Sequence, residues 1–451
     1  MYSIGMMIYV NADELRNTPH PPKFSESSQE SFWLTCKSKW CAVYKNNIRP
    51  VFVNLFASGF HAVPGKFELA VQLVRIMFPF LTLIALAAQA QGILNAHHQF
   101  GVPALSSAVF NIGSVAFGLA IGRWTGIGAV QGMACGVVCG GFAQLLFQLP
   151  AVWRAGFAWR PRWNLRHEGI RHILGLMGPA ILAGASVQLN VLVNTNFAAG
   201  LRDASGHVMN GPVSWLSYAF RFQQLPLGLF GISVASATLP RISRSAALGD
   251  FARFRDTLSH SLTMILLATI PSSVGLAIFG ESMIGIVYQH GRFLASDTHQ
   301  TAIALSCYAV GLAGFAGLKL IAPAFYALGD SRTPMLVSIA SIAVNGVTAF
   351  VAVRFLHLGH AGLALSVSVV AIFNAIALLV LIRPRIGGIG GRRMAGSLIK
   401  ILTATAVMGL VCLAVVHYSH SRVFNVLAGV PIGAAVFYAV ASWLRVRELA
   451  G

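Results

Sequence analysis

The sequence predicts an all-α polytopic membrane protein, and three observations support this fold class. The chain has 451 residues, of which 56% are hydrophobic and only 10% are charged, whereas soluble domains carry roughly 25% charged residues. Its apolar residues fall in long stretches with helical periodicity, and its basic residues collect in the short loops between them. A soluble fold could not hydrate so apolar a surface, but lipid accommodates it.

About eleven apolar stretches follow one another from residue 70 onward, and most approach the ~20 residues that a helix needs to cross a bilayer. They lie at 72–95, 103–122, 128–150, 172–199, 213–239, 259–280, 301–325, 335–353, 361–382, 397–418 and 423–443. Closed β-barrels alternate with period two over ~10 residues. No stretch shows that alternation, so we expect helices throughout.

Loop charge orients the predicted helices. Alternate loops, beginning with the one after the first span, carry sixteen arginines: 154, 160, 162, 166, 171, 241, 244, 253, 255, 332, 383, 385, 392, 393, 445 and 447. The other loops carry five, at 123, 202, 292, 354 and 422. The positive-inside rule therefore places the first set of loops and the C-terminus in the cytoplasm.

The N-terminal region conflicts with this orientation. An odd number of spans with a cytoplasmic C-terminus places residue 70 outside, yet residues 1–66 are polar, contain seven basic residues and show no signal peptide. We therefore interpret residues 1–57 as a polar segment foreign to the fold. The apolar run at 51–60 is too short to span a bilayer.

Several function classes are not supported by the sequence. The formal charge of +19 is explained by membrane topology and an anionic membrane surface, and no motif supports nucleic-acid binding. We find no Walker loop, catalytic triad, paired carboxylates or metal-ligand spacing, so we expect neither an enzyme nor a cofactor or metal. Cys135 and Cys139 share a helix face without a His or carboxylate partner and are interpreted as packing residues.

Four groups of residues resemble the lipid II flippase family, a branch of the superfamily of multidrug and polysaccharide exporters. They are Phe78-Pro79-Phe80 with Gly92 to Ala96, Val102 to Ala104 and Asn111-Ile112; Met177 to Ala180 with Gln188 and Asn194-Thr195; Ser214-Trp215, Tyr218-Ala219, Arg221, Gln224 to Gly231 and Leu239-Pro240; and Lys319, Ala322-Pro323, Phe325 to Ala327 and Asp330 to Pro334. Their order and spacing over residues 58–447 make the resemblance specific.

The resemblance implies a two-lobed transporter with about fourteen helices, so the N-terminal lobe of this chain would be incomplete. We expect residues 58–150 to be the three remaining helices of that lobe and 151–171 to be a basic cytoplasmic loop. Residues 172–451 would form the C-terminal lobe and extra helices, eight in all.

The function implied by the resemblance is flipping of lipid II, the undecaprenyl-pyrophosphate-linked peptidoglycan precursor, to the outer leaflet of the bacterial inner membrane by alternating access. Lipid II and membrane lipids are then the expected partners, with proteins of cell-wall synthesis as further candidates. A headgroup with sugars and two phosphates cannot cross hydrocarbon unaided, which independently requires a polar, basic cavity.

Arg221 is the main candidate for substrate binding. A guanidinium inside a membrane costs roughly 2.5–3.5 kcal/mol and can hold a pyrophosphate bidentately. The resemblance implies that Arg221 is a cavity arginine, with Gln224 of the same motif beside it; the alternative is an interfacial arginine that extends towards lipid headgroups. Lys319, deep in its span, is either a cavity cation or a structural residue.

The span 172–199 contains Gln188, Asn190 and Asn194, and the last two share a helix face. These amides either line the cavity, which makes Gln188 and Asn194 candidate binding residues, or hydrogen-bond to neighbouring helices. Glycines at 132, 136 and 140 form a small-xxx-small stripe typical of helix packing.

Two other functions remain open. A related polysaccharide-lipid flippase or a drug/cation antiporter would share the fold, but an antiporter is expected to carry an intramembrane carboxylate. We place Glu68, Glu281 and Asp330 at span ends or in loops. The third alternative is an inactive, truncated remnant.

Overall fold

The computed structural model describes residues 66–446, apart from 98, 127, 158–167, 203–208, 210 and 420. The segment 1–57, part of the loop 151–171 and the last five residues lie outside the described residues. The helices are α1 Lys66–Met77, α2 Pro79–Ala96, α3 Gly101–Trp124, α4 Ala129–Arg154, α5 Glu168–Ala199, α6 Pro212–Pro226, a π-helical turn Leu227–Ile232, α7 Ser233–Ala247, α8 Phe251–Tyr288, α9 Ala295–Val310, α10 Leu312–Ala327, α11 Arg332–Arg354, α12 Gly359–Ile382, α13 Gly391–Tyr418, α14 Arg422–Leu427 and α15 Gly429–Trp443.

The predicted all-α architecture is confirmed for the described part of the chain. Nine helical segments in it are long and apolar enough to cross a membrane, or ten if the bent pair α9 and α10 forms one span. The predicted span 172–199 lies in α5, which is a helix but is not among those ten.

The chain divides into two compact units, Met1–Ile181 and Leu182–Gly451. In the first unit, α4 packs on α1, α2 and α3. Gly136 shows why this contact needs glycine: an added Cβ would lie 2.4 Å from the Ser114 carbonyl oxygen and 2.5 Å from Gly118 Cα. Cβ atoms at Gly132 and Gly140 would be equally close to α3. The predicted role of this stripe in helix packing is therefore confirmed.

The core of the second unit is built around α8, which packs against α7, α9, α10 and α13. The largest fully buried side chains of this core come from α7 to α10 and include Ile242, Phe254, Ile265, Leu305, Leu312 and Phe325. Burying each such side chain is worth about 1.5–3 kcal/mol in water, whereas inside lipid the gain comes from close packing and interhelical hydrogen bonds.

The predicted span 301–325 is not one straight helix. It breaks at Gly311, where α9 and α10 meet at 44°. Helix α12 approaches so closely here that a Cβ on Gly311 would lie 2.6 Å from Ser368 Cα. Ser368 donates its hydroxyl proton to the carbonyl oxygen of Cys307, at 2.7 Å. A side chain of the neighbouring helix thus satisfies a backbone group at the break, as irregular backbone at membrane depth requires.

The turn between α10 and α11 is fixed by Asp330. Its carboxylate accepts hydrogen bonds from the backbone N–H groups of Arg332 and Thr333, at 2.9 and 3.0 Å, and pairs with Arg385 after α12, at 2.6 Å. Burial opposes its ionisation, but the hydrogen bonds from Thr333 and Arg332 and the Arg385 charge together lower the pKa of this carboxyl below its usual value. As predicted, Asp330 lies in a loop.

Candidate functional site

Helices α6 and α7, joined by the π-helical turn, have two chemically different faces. The buried face packs into the second unit through Trp215, Leu216, Ala219 and Phe222 on α6 and through Ala235 and Ile242 on α7. The opposite face is exposed and carries Ser214, Ser217, Arg221 and Gln224 on α6 and Ser233, Ser236 and Arg244 on α7. A membrane-length helix with a row of exposed polar groups needs a wet or polar environment on that side.

Two hydrogen bonds from buried side chains of α6 fix the rotation of this helix about its axis. The Trp215 indole N–H donates to Asp297 Oδ1 on α9, at 2.9 Å. The Gln223 side chain donates to the carbonyl oxygen of Tyr308, also on α9, at 2.9 Å. Because these anchors lie on the buried face, Arg221 and Gln224 are held on the open face, three residues apart and therefore neighbours on the helix surface.

Phe220, next to Arg221 in sequence, belongs to an aromatic cluster. Its ring meets Tyr308 edge-on at 5.6 Å between centroids and Phe315 at 6.4 Å. Edge-to-face pairs of this kind add about 0.5–1.5 kcal/mol beyond burial. This position thus supports the orientation of α6.

Lys319 lies on α10 and is exposed, while its chain neighbours Leu320 and Ile321 are buried. Helix α10 packs against the π-helical turn and α7. Lys319 is therefore a second exposed cation within a predicted span.

The amides of α5 divide into two groups. Gln188 is exposed, whereas Asn190 and Asn194 contact α11. Asn190 Nδ2 donates to Ser341 Oγ at 3.2 Å, and the fully buried Asn345 donates to Asn194 Oδ1 at 3.3 Å and to the Asn190 carbonyl oxygen at 3.3 Å. This places Asn190 and Asn194 on one face, as predicted, and directs that face towards another helix.

The network extends to a third helix, because Ser366 on α12 donates to Asn345 Oδ1 at 3.1 Å. Asn345 is therefore the centre of a polar contact among α5, α11 and α12. Sequence reasoning overlooked it, although a lone amide in the middle of an apolar span is a signal for interhelical hydrogen bonding. It also overlooked the anchors Gln223 and Ser368.

Glu281, predicted at the end of a span, lies within a helix that is longer than that span. Helix α8 continues to Tyr288, so Glu281 lies inside it, and also inside a segment apolar enough to cross a membrane. Its carboxylate lies 3.5 Å from His299 Nδ1, and both side chains are more than half exposed. The predicted span ended at 280 because the apolar run ends there, but the backbone remains helical for two further turns. Glu68 lies in the first turn of α1, at the end of a helix, as predicted.

No group of three or more His, Cys, Asp or Glu side chains within the described residues could hold a metal ion. Cys135, Cys139 and Cys307 are half-buried free thiols, and Cys412 is a buried one. The candidate site on α6 and α7 therefore consists of fixed cations, amides and hydroxyls, which can bind an anion or sugar but provide no nucleophile with an adjacent base.

Comparison with known proteins gives consistent results. The family model described as lipid II flippase MurJ matches residues 42–430, a range that begins inside the segment 1–57. The lipid II flippase MurJ of Burkholderia cenocepacia is 32% identical over 333 residues, which are 73% of this chain and 63% of that protein. The probable lipid II flippase MurJ of Haemophilus influenzae is 31% identical over 350 residues, covering 76% and 66% of the two chains. The chain thus matches less than two thirds of the length of these relatives.

Solved structures show the same fold. A lipid II flippase MurJ in an inward closed conformation superposes with a TM-score of 0.75 at 24% identity, covering 95% of this chain and 86% of that one. An inward-facing multidrug resistance MATE family transporter superposes with a TM-score of 0.62 at 17% identity, covering 76% of each chain. The predicted all-helical fold, which both of these solved structures share, is confirmed. Since the family model matches most of its length, the chain belongs to the lipid II flippase MurJ family.

Proposed function

We propose that this chain flips lipid II from the inner to the outer leaflet of the bacterial inner membrane by alternating access. The observation that carries the proposal is the family match over residues 42–430, together with relatives named as lipid II flippases. Transport requires no bond making, which agrees with a site of fixed charges and hydrogen-bonding groups.

The open face of α6 supplies the chemistry that the headgroup needs. Arg221 can hold two phosphate oxygens with its planar guanidinium, and Gln224 offers both a donor and an acceptor one turn away. We assign pyrophosphate contact to Arg221, and further headgroup contact to Gln224, Lys319 and Gln188, all of which are exposed. Asn194 is already engaged by Asn345, which favours the packing alternative for that residue.

Complementation tests the function directly. The chain is expressed in a bacterium whose own lipid II flippase can be depleted, with insertion checked by immunoblot of the membrane fraction and an empty vector as control. We expect growth to continue after depletion. Lysis despite normal insertion would refute flipping by this chain and favour the inactive remnant.

Glu281 supports a second candidate, a cation-coupled antiporter, because it lies inside a helix long and apolar enough to cross a membrane and an intramembrane carboxylate is a typical coupling group. Export of a cationic dye from vesicles, driven by an imposed proton or sodium gradient, would show this activity. We expect no dye export by the chain. Gradient-driven export that is lost in Glu281→Gln would favour the antiporter over the flippase.

We also propose that the C-terminus is cytoplasmic. The excess of loop arginines supports this orientation. Reporter fusions after Trp163 and at Gly451 should give cytoplasmic signals, and a fusion after His207 should give an external one. Inverted signals at Trp163 and His207 would overturn the assignment.

A further inference from the structure

The π-helical turn Leu227–Ile232 lies between the two halves of the polar face. It begins directly after Pro226, which lies inside the helix but has no N–H and so cannot donate the α-helical hydrogen bond to the carbonyl oxygen four residues back. Ser233 then donates its hydroxyl proton to the Gly228 carbonyl oxygen, five residues back, at 3.3 Å. Both features favour the wider turn, and π-helical turns inside α-helices occur frequently at functional sites.

The turn changes which residues share a face. An α-helix advances about 100° per residue, so in an unbroken helix Ser233 would lie roughly 120° around the axis from Arg221 and Arg244 roughly 140°. A π-helical turn accommodates about one additional residue. That correction of about 100° brings Ser233 to within ~20° of Arg221 and Arg244 to within ~40°.

The burial pattern of residues 221–244 agrees with helix positions that are corrected for the additional residue of the turn. The exposed positions Arg221, Leu225, Leu229 and Ser233 follow one another at intervals of four residues through the turn, and Ser236 and Arg244 continue the same face. Ala235 is buried, although an unbroken α-helix would place it only ~40° from Arg221. The turn itself is held against α10, because a Cβ on Gly231 would lie 3.1 Å from Ala316 Cβ.

The resulting face has two groups of polar residues, which are separated by two exposed leucines. Ser217, Arg221 and Gln224 form the first group; Ser233, Ser236 and Arg244 form the second. Leu225 and Leu229, 60% and 67% exposed, separate them. Each group contains one arginine, so an anionic headgroup would meet a cation on either side of the leucines.

We propose that the π-helical turn is a positioning element, which aligns Ser233, Ser236 and Arg244 with Arg221 so that one face of α6 and α7 provides two binding stations for a phosphate-bearing lipid headgroup. The identity of the headgroup rests on the proposed function, whereas the alignment of the two stations does not. Arg244 is thereby assigned as a second phosphate contact.

Cysteine labelling tests the alignment without requiring transport. In a background without the native cysteines, single substitutions Ser217→Cys, Ser233→Cys and Ala235→Cys are exposed to a charged, membrane-impermeant thiol reagent in opened membranes. We expect labelling at 217 and 233 and protection at 235. Stronger labelling at 235 than at 233 would show an α-helical phase and overturn the proposal. Absence of labelling at 233 would do so too, because a headgroup station must be hydrated.

Deletion of Gly228 removes the additional residue from the turn. A side chain at this position would meet nothing within 4 Å, so the deletion removes no packed side chain. Labelling at 233 should fall at least tenfold while labelling at 217 is unchanged, and an alanine inserted after Phe230 should restore the parental pattern. Unchanged labelling at 233 in the deletion variant would refute the role of the turn. If the deletion variant does not insert into the membrane, cysteine labelling of the parent at positions 217, 233 and 235 decides whether the two groups are aligned.

Arg244 is tested against Arg253, an exposed arginine in the first turn of α8. Both substitutions to alanine remove one charge near the same loop, but only Arg244 lies on the polar face. In vesicles containing labelled lipid II, Arg244→Ala should slow translocation about tenfold and Arg253→Ala should leave it unchanged. Equal effects of the two substitutions would show that Arg244 acts only as a general surface charge and would refute its assignment as a phosphate contact. Failure of the parent to translocate would refute the proposed function while leaving the labelling result intact.

Discussion

The contact among α5, α11 and α12 provides a quantitative test of whether Asn194 packs or binds substrate. Asn345 is fully buried and makes three hydrogen bonds, to Asn194 Oδ1, to the Asn190 carbonyl oxygen and with Ser366. Interhelical hydrogen bonds in membranes average about 0.6 kcal/mol, with a maximum near 1.7. Asn345→Ala should therefore lower the free energy of unfolding by about 2 kcal/mol.

Asn194→Ala removes only one of these hydrogen bonds and should lower the free energy of unfolding by about 0.6–1 kcal/mol. Because Asn194 and Asn345 contact each other, the double variant should lose less than the sum of the single variants, with a coupling of about 0.6 kcal/mol. Unfolding in detergent is followed with a thiol-reactive dye in a background where the other five of the six cysteines are replaced, so that the dye reports exposure of the buried Cys412.

Asn111→Ala is the matched control, since within the described part of the chain this exposed amide bonds to the Ser107 carbonyl oxygen of its own helix, at 3.0 Å, and to no other helix. Its stability should stay within ~0.5 kcal/mol of the parent. Additive losses at positions 194 and 345 would refute the packing argument. So would an Asn194→Ala variant with parental stability but no transport, because that result would assign Asn194 to the substrate.

Two further predictions concern packing and charge. Gly136→Leu should destabilise the first unit by about 1–3 kcal/mol, because the added Cβ would overlap α3. Gly92→Leu is the control and should be neutral, because a side chain at that position meets open space. Equal melting temperatures of the two variants would contradict this prediction. Asp330→Ala should lower the free energy of unfolding by about 1 kcal/mol at neutral pH, because the capping hydrogen bonds are lost. Since the folded-state pKa of Asp330 is lowered, its contribution is complete above pH ~4 and is lost as the pH falls further; a difference between parent and variant that is constant down to pH 2 would refute the pKa argument.

The helices themselves could be predicted from the sequence because membrane spans depend on length and apolar content, which are local properties. The predicted stretch 335–353, for example, lies within α11, Arg332–Arg354. The contacts of the glycine stripe were also predictable, since three small residues at intervals of four define one face of α4.

The irregular features could not be predicted in the same way, because the length and apolar content of a stretch do not determine them. The break at Gly311 exists where α12 approaches and Ser368 satisfies a carbonyl oxygen. The extent of α8 past Glu281 was missed because hydropathy measures polarity, whereas the helix ends where its hydrogen bonds end. The π-helical turn has weak local signals, Pro226 and Ser233. Its effect on the directions in which Ser233 and Arg244 point can be seen only once the rotation of the helix is known.

In the proposed mechanism, lipid II crosses the membrane along a face on which Arg221 holds its pyrophosphate. The most direct measurement is translocation of fluorescent lipid II in vesicles, where an impermeant reductant quenches only the outward-facing label. Loss of charge-assisted hydrogen bonds worth about 1.5–3 kcal/mol should slow Arg221→Ala roughly 10- to 100-fold. Arg221→Lys should be intermediate, because it keeps the charge but loses the bidentate geometry.

Arg354→Ala is the control, since this exposed arginine lies in the last turn of α11 and away from the polar face. Its rate should equal that of the parent, with insertion of every variant verified by immunoblot. We expect translocation rates to fall in the order parent equal to Arg354→Ala, then Arg221→Lys, then Arg221→Ala. Parental translocation by a fully inserted Arg221→Ala variant would contradict it.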